Sequence, residues 1–77
     1  RICFLCNQNA EIALAPNIIP HSVVTTASLV PSYQRVLFNS HQIHTMDMGH
    51  YIIDIDQIQR QQPTLIIGNI LDDQIKN

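Results

Sequence analysis

Prolines at positions 16, 20, 31 and 63 impose the tightest limit on what this chain can build. Proline has no backbone N–H and biases the residue before it towards extended geometry, so the elements between these points are short. Pro16 and Pro20 enclose Asn17-Ile18-Ile19. Ahead of them, Glu11-Ile12-Ala13-Leu14 is expected to be a short, half-buried strand. Behind them, Ser22-Val23-Val24-Thr25-Thr26 is rich in β-branched residues, which pack well on a pleated surface.

Ser28 to Asn39 admits two structures. Pro31 fits the first turn of a helix running to about Phe38, with Tyr33, Val36 and Leu37 on one face. The same residues also alternate, with Val36 and Phe38 inward and Arg35 outward, and a strand after a proline turn is the preferred expectation. Asn39-Ser40 is expected to turn the chain, and His41 to Met46 to return as a strand. Gly49 permits a bend or bulge. His50 to Ile58 has the clearest strand pattern: Tyr51, Ile53 and Ile55 share one face, and Asp54 and Asp56 the other. Gln59 to Pro63 is a polar connector. Thr64 to Leu71 is nearly all apolar, as in a strand covered on both faces, and Gly68 within it points to a bulge or a close backbone approach. Asp72 to Asn77 is a polar tail with room for a short helix. Five to seven short strands punctuated in this way predict a mostly-β fold, a small barrel or sandwich. The alternative is an α+β sheet with one short helix.

With 77 residues the chain is read as a single small domain, residues 1–77, whose core alone supplies only about 3–5 kcal/mol. It opens on Arg rather than Met, as a fragment or processed piece of a larger chain would. Charged residues make up 13 % of it and the net charge is −2, so the clustered cations that a nucleic-acid backbone or an acidic membrane surface requires are missing. No apolar run approaches the roughly 20 residues of a membrane span. Nucleic acid and membrane are therefore excluded as expected partners.

Chemistry-bearing residues are few. Cys3-Phe4-Leu5-Cys6 has the spacing at which a turn directs two thiolates to one tetrahedral metal. His41-Gln42-Ile43-His44 supplies two further ligands, with His21 and His50 in reserve. Cys3, Cys6, His41 and His44 are thus the candidate ligands of a structural zinc. Against this stands the ordinary role of free cysteine as a small packing hydrophobe. A redox Cys-x-x-Cys lacks its usual preceding strand and following helix here. His41, His44, His50 and Asp47 form a second cluster, able to gain charge near neutral pH. No serine sits in a Gly-x-Ser-x-Gly elbow, and two glycines cannot build a phosphate-cradling loop. Asp54 and Asp56, on the outer side of the expected strand, serve to discourage edge pairing.

Two family resemblances accompany these motifs. Cys3, Cys6, Pro16 and His21 resemble the opening of a RING finger over about a quarter of the chain, without that family's later cysteine pairs. Val23 to Ser28, Asn39-Ser40 to Gly49, and Ile66 to Leu71 resemble the landmarks of retroviral-type aspartic proteases. Val24 and Thr26 stand where that family has its catalytic Asp and Gly, so the resemblance implies at most an inactive shell.

The function expected from these features is non-enzymatic: a β-rich module for protein–protein interaction or assembly, binding a protein partner or its own copy through strand edges. The alternative is a small zinc-stabilised domain built on Cys3, Cys6 and histidines.

Overall fold

The computed structural model describes residues 1–26, 30–48 and 53–68. These contain four strands and three helices in strict alternation: β1 (Ile2–Phe4), α1 (Asn7–Leu14), β2 (Ser22–Thr25), α2 (Ser32–Ser40), β3 (His44–Asp47), α3 (Ile55–Arg60) and β4 (Leu65–Ile67). All three pairings are parallel, in the order β3-β2-β1-β4. Helices account for 38 % of the described structure, which is α/β. The expected mostly-β barrel or sandwich, and the all-β character that went with it, are therefore wrong. So is the one-helix α+β alternative. The physical reason is connectivity: parallel neighbours cannot be joined by a hairpin and need a crossover, here a helix each time.

The three helices occupy segments where strands or turns were expected. Glu11–Leu14 is the end of α1, whose Ala10 and Ala13 are buried and whose Leu14 packs against the same cluster, an i, i+3, i+4 helical stripe. Ser32–Ser40 is helical, with Pro31 in extended geometry at its N-cap. Its buried face is Gln34 and Phe38, one turn apart, while Tyr33 and Val36, expected inward on a helix, are exposed. Asn39-Ser40 ends this helix rather than forming a separate turn. In the segment with the clearest alternation, Asp54 is the N-cap of α3, and its side chain accepts a hydrogen bond from the Gln57 backbone N–H. Tyr51, like Gly49, His50, Ile52 and 69–77, lies outside the described residues.

Each helix is closed without glycine. Ile18 N–H donates to the Ala13 carbonyl and Asn17 N–H to the Leu14 carbonyl, both at 3.0 Å. Ile43 N–H donates to Phe38 (2.9 Å) and Gln42 N–H to Asn39 (3.0 Å), the same paired pattern. The residues that turn left-handed for this purpose are Asn17 (φ 64°), Gln42 (φ 56°) and, after α3, Gln62 (φ 52°). A glutamine there carries a Cβ penalty that glycine avoids. Gln42→Gly is expected to raise stability by about 0.5–1 kcal/mol, after allowing for glycine's larger unfolded-state entropy. Urea melts of the two proteins check this, and a loss of stability would show that the Gln42 side chain is needed.

Alternation along the strands divides the interior into two layers. Phe4 and Val23 face α1 and α2, forming a cluster with Ala10, Ala13, Phe38 and Ile43. Cys3, Val24 and Met46 face the other side and pack with Ile53 and Ile58 of the α3 region. The sheet is thus covered from both sides over β1 and β2, while β3 buries only Met46, on the second side. β4 differs: Leu65, Ile66 and Ile67 are 51 %, 48 % and 37 % exposed. The expectation that the Thr64–Leu71 strand is covered on both faces is corrected for the described part of it.

Candidate functional site

The carboxyl ends of the four strands form one edge of the sheet. β1 runs into Leu5 and Cys6, and Cys6, in extended geometry, is the N-cap of α1 but makes no side-chain capping bond. β2 ends at Thr25, whose hydroxyl donates to Asp47 Oδ1 at the end of β3. β4 ends at Gly68. The chain steps outward from β1 to β2 to β3 and then returns to the opposite side of β1 as β4. The helix after β1 leaves over one face, while α3 leads into β4 over the other. In open α/β sheets, ligands are bound at such a reversal of strand order, beyond the carboxyl ends of the strands.

Two features shape this edge. The first is Gly68, with φ +154°. A Cβ there would lie 2.6 Å from the Leu5 Cβ. Leu5 N–H donates to the Ile67 carbonyl at 2.9 Å, so β1 and β4 are drawn together at this edge. This is the close backbone approach expected at Gly68. The second is a polar network joining the first turns of α1 and α2. Asn7 Nδ2 donates to Gln34 Oε1 (2.6 Å), Gln34 Nε2 donates to Glu11 Oε2 (2.7 Å), and the Tyr33 hydroxyl donates to the same oxygen (3.1 Å). Gln34 is 2 % exposed, and an amide so placed is tolerable only because both its ends are used. Its hydrogen bond to Glu11 pushes the Tyr33 phenol up from its ordinary value. The network was not anticipated. Gln34 shares a side with Phe38 whether the segment is a strand or a helix, but no spacing in the sequence pairs it with Asn7 and Glu11.

The amino ends of the strands form the opposite edge. His21 N–H donates to the Ile2 carbonyl (2.9 Å) and His44 N–H to the His21 carbonyl (3.1 Å). His21 Nδ1 is buried and reaches no hydrogen-bond partner among the described residues. Burial, then the positive charges of Arg1 and His44, hold the His21 pKa below its usual range.

The four expected zinc ligands are distributed between these edges. Cys3 is fully buried in mid-strand; burial pushes its thiol up, and the nearby Ser22 hydroxyl opposes this only in part. Cys6 lies at the carboxyl edge. His41 caps α2 and His44 opens β3, both exposed at or before the amino edge. A strand of three or four residues at about 3.3 Å per residue separates Cys6 from the histidines. The fold does not bring these side chains together. Among the described residues, no group of three or more His, Cys, Asp or Glu is arranged to hold a metal ion. Both cysteines are free thiols. Of the RING-like set, Cys3 is in β1, Cys6 at the start of α1, Pro16 after that helix and His21 before β2. Val24 and Thr26, placed by the protease resemblance at a catalytic loop, lie in and just after a parallel strand instead.

No protein-family model matches the chain, and no curated protein or solved structure matches it. Among the described residues no helix is long and apolar enough to cross a membrane.

Proposed function

We propose that this chain is a non-enzymatic association module that works by extending its sheet at β4. The exposure of Leu65, Ile66 and Ile67 carries this reading. Parallel sheets are ordinarily covered on both faces, yet among the described residues an apolar strand is left exposed on both faces and at one edge of the sheet. A strand added beside β4 would satisfy the edge, and the side chains accompanying it would cover Ile66 on one face and Leu65 and Ile67 on the other. A pull-down with the chain as bait, repeated with Ile66→Pro, tests the reading. Proline removes an edge N–H while leaving β4 able to pair with β1 through its neighbours. Partners retained by the native bait and lost with Ile66→Pro support it; the same partners on both baits count against it.

A second reading is favoured by the strand order. A sheet that reverses between β1 and β4 binds small molecules, where it binds them at all, beyond the carboxyl ends of those strands. Leu5, Cys6, Asn7 and Gly68 would border such a ligand, and the Asn7–Gln34–Glu11 network would hold the bordering helices in place. Screening a library of small polar fragments by ¹⁵N chemical-shift mapping tests this. Shifts clustered at Leu5–Gln8, Thr25–Thr26 and Gly68 are expected. Shifts confined to the helix surfaces or the amino edge would refute it.

A further inference from the structure

We propose that the occupant of the β4 edge is a second copy of this chain, paired antiparallel about a two-fold axis at Ile66. This rests on the sheet-extension reading and names its partner. In a parallel ladder, alternate residues of a strand direct both their N–H and C=O to the same neighbour. Leu65 N–H donates to the Arg1 carbonyl, and the Ile67 carbonyl accepts from Leu5 N–H, so both residues address β1. Ile66, between them, directs its N–H and C=O to the open side.

One outward pair is the arrangement a two-fold axis can use. Two antiparallel strands centred on Ile66 place each Ile66 opposite its own copy as a hydrogen-bonded pair, exchanging both N–H···O bonds. The flanking residues then fall Leu65 against the partner's Ile67, and Ile67 against the partner's Leu65. Apolar groups meet apolar groups on the face above, while the two Ile66 side chains adjoin on the face below.

Charge agrees with this geometry. Residues near a two-fold axis face their own copies, so any charge there is repelled by itself. From Gln61 to Leu71 the chain has no charged residue, whereas Arg60 and Asp72 lie just beyond. No proline interrupts β4, and Pro63 precedes it. The edge thus lacks the usual protections against pairing with itself. A three-residue strand buries well below the roughly 800 Å² per partner of a standard interface. The dimer is accordingly expected to be weaker than about 1 μM and to dissociate on dilution.

Sedimentation equilibrium between about 10 μM and 1 mM decides the matter, a range chosen to bracket an association of that strength. The expected result is a mass that climbs from 8.8 kDa towards twice that value in the native protein. It should stay at the monomer value for Ile66→Pro and for Ile66→Lys. The lysine variant retains the N–H, so it stands in if the proline variant fails to fold, and far-UV circular dichroism verifies the fold of each. Ile12→Ser, on the outer face of α1 where Ile12 is 68 % exposed, should associate like the native protein. A native chain that stays monomeric to 1 mM overturns the second-copy proposal; Ile66-dependent capture of another protein would then still support sheet extension. A dimer unaffected by both Ile66 changes overturns the β4 interface itself, and one abolished by Ile12→Ser places the contact on the helix layer.

Discussion

Phe38→Ala is expected to lower stability by about 3–5 kcal/mol, enough to unfold most of the protein. Phe38 is fully buried on the inner face of α2. Around it are Phe4, Val23 and Ile43, with Ala10 and Ala13 of α1. The two alanines bring α1 close but fill little volume, so the ring occupies the space between both helices and the sheet. Removing it forfeits the transfer energy of six ring carbons and leaves a cavity that short helices cannot close without leaving the sheet. The domain's whole margin is of comparable size. Urea denaturation followed by circular dichroism gives the number. A loss under about 1 kcal/mol would mean that α2 is not packed as described, since that is less than a single buried large-to-small change normally costs. Phe38→Leu, which keeps most of the volume, should recover over half of the loss.

Gly68→Ala has the second-largest expected effect, about 2–4 kcal/mol, and its mechanism is different. At φ +154° an L-residue is strained whatever space surrounds it. Here there is also no space, because the new methyl would sit 2.6 Å from the Leu5 Cβ. A Cβ has no rotamer by which to withdraw, so relief requires one backbone to move away from the other. The contact that yields is the Leu5 N–H to Ile67 carbonyl bond, and β4 separates from β1. The expected signature is faster hydrogen exchange at the Leu5 amide together with a lower melting temperature. An unchanged Leu5 amide would show that the strands are not held so closely. Under the second-copy proposal this variant should also lose its concentration-dependent mass, because a displaced β4 no longer presents Ile66 at the edge.

Some of the fold was visible in the residues. The β-branched run Ser22–Thr25 is β2, the apolar run after Pro63 contains β4, and Gly68 marks a close approach of two backbones. The helices were hidden for identifiable reasons. They have six to nine residues, from under two turns to about two and a half, so the apolar period hardly repeats before it ends. Their ends carry no glycine, because Asn17, Gln42 and Gln62 take the left-handed positions where glycine usually announces a stop. Ile53 and Ile55 alternate as in a strand, while Ile55 and Ile58 have the one-turn spacing of a helix, and a segment this short satisfies both periods. One local signal did exist: Asp54 followed three residues later by Gln57 is the spacing of an N-terminal cap, and the structure uses Asp54 as one.

The candidate site was less legible still. The zinc hypothesis drew Cys3, Cys6, His41 and His44 together by sequence spacing, but a parallel sheet sends the ends of its strands to opposite edges. Conversely, Asn7, Gln34 and Glu11 are unremarked polar residues until two helices lie side by side.

By itself, then, the amino-acid sequence determined a small, weakly charged chain of short elements, apolar enough to fold and with an uncharged stretch around Ile66. Those properties are local, because composition, proline geometry and charge do not depend on what a segment touches. Tertiary structure alone decided that the strands run parallel, that Gln34 joins Asn7 and Glu11, and that β4 is an edge among the described residues. Each of these depends on which segments become neighbours, and residues 19 to 63 positions apart settle that by packing, whatever their local preferences.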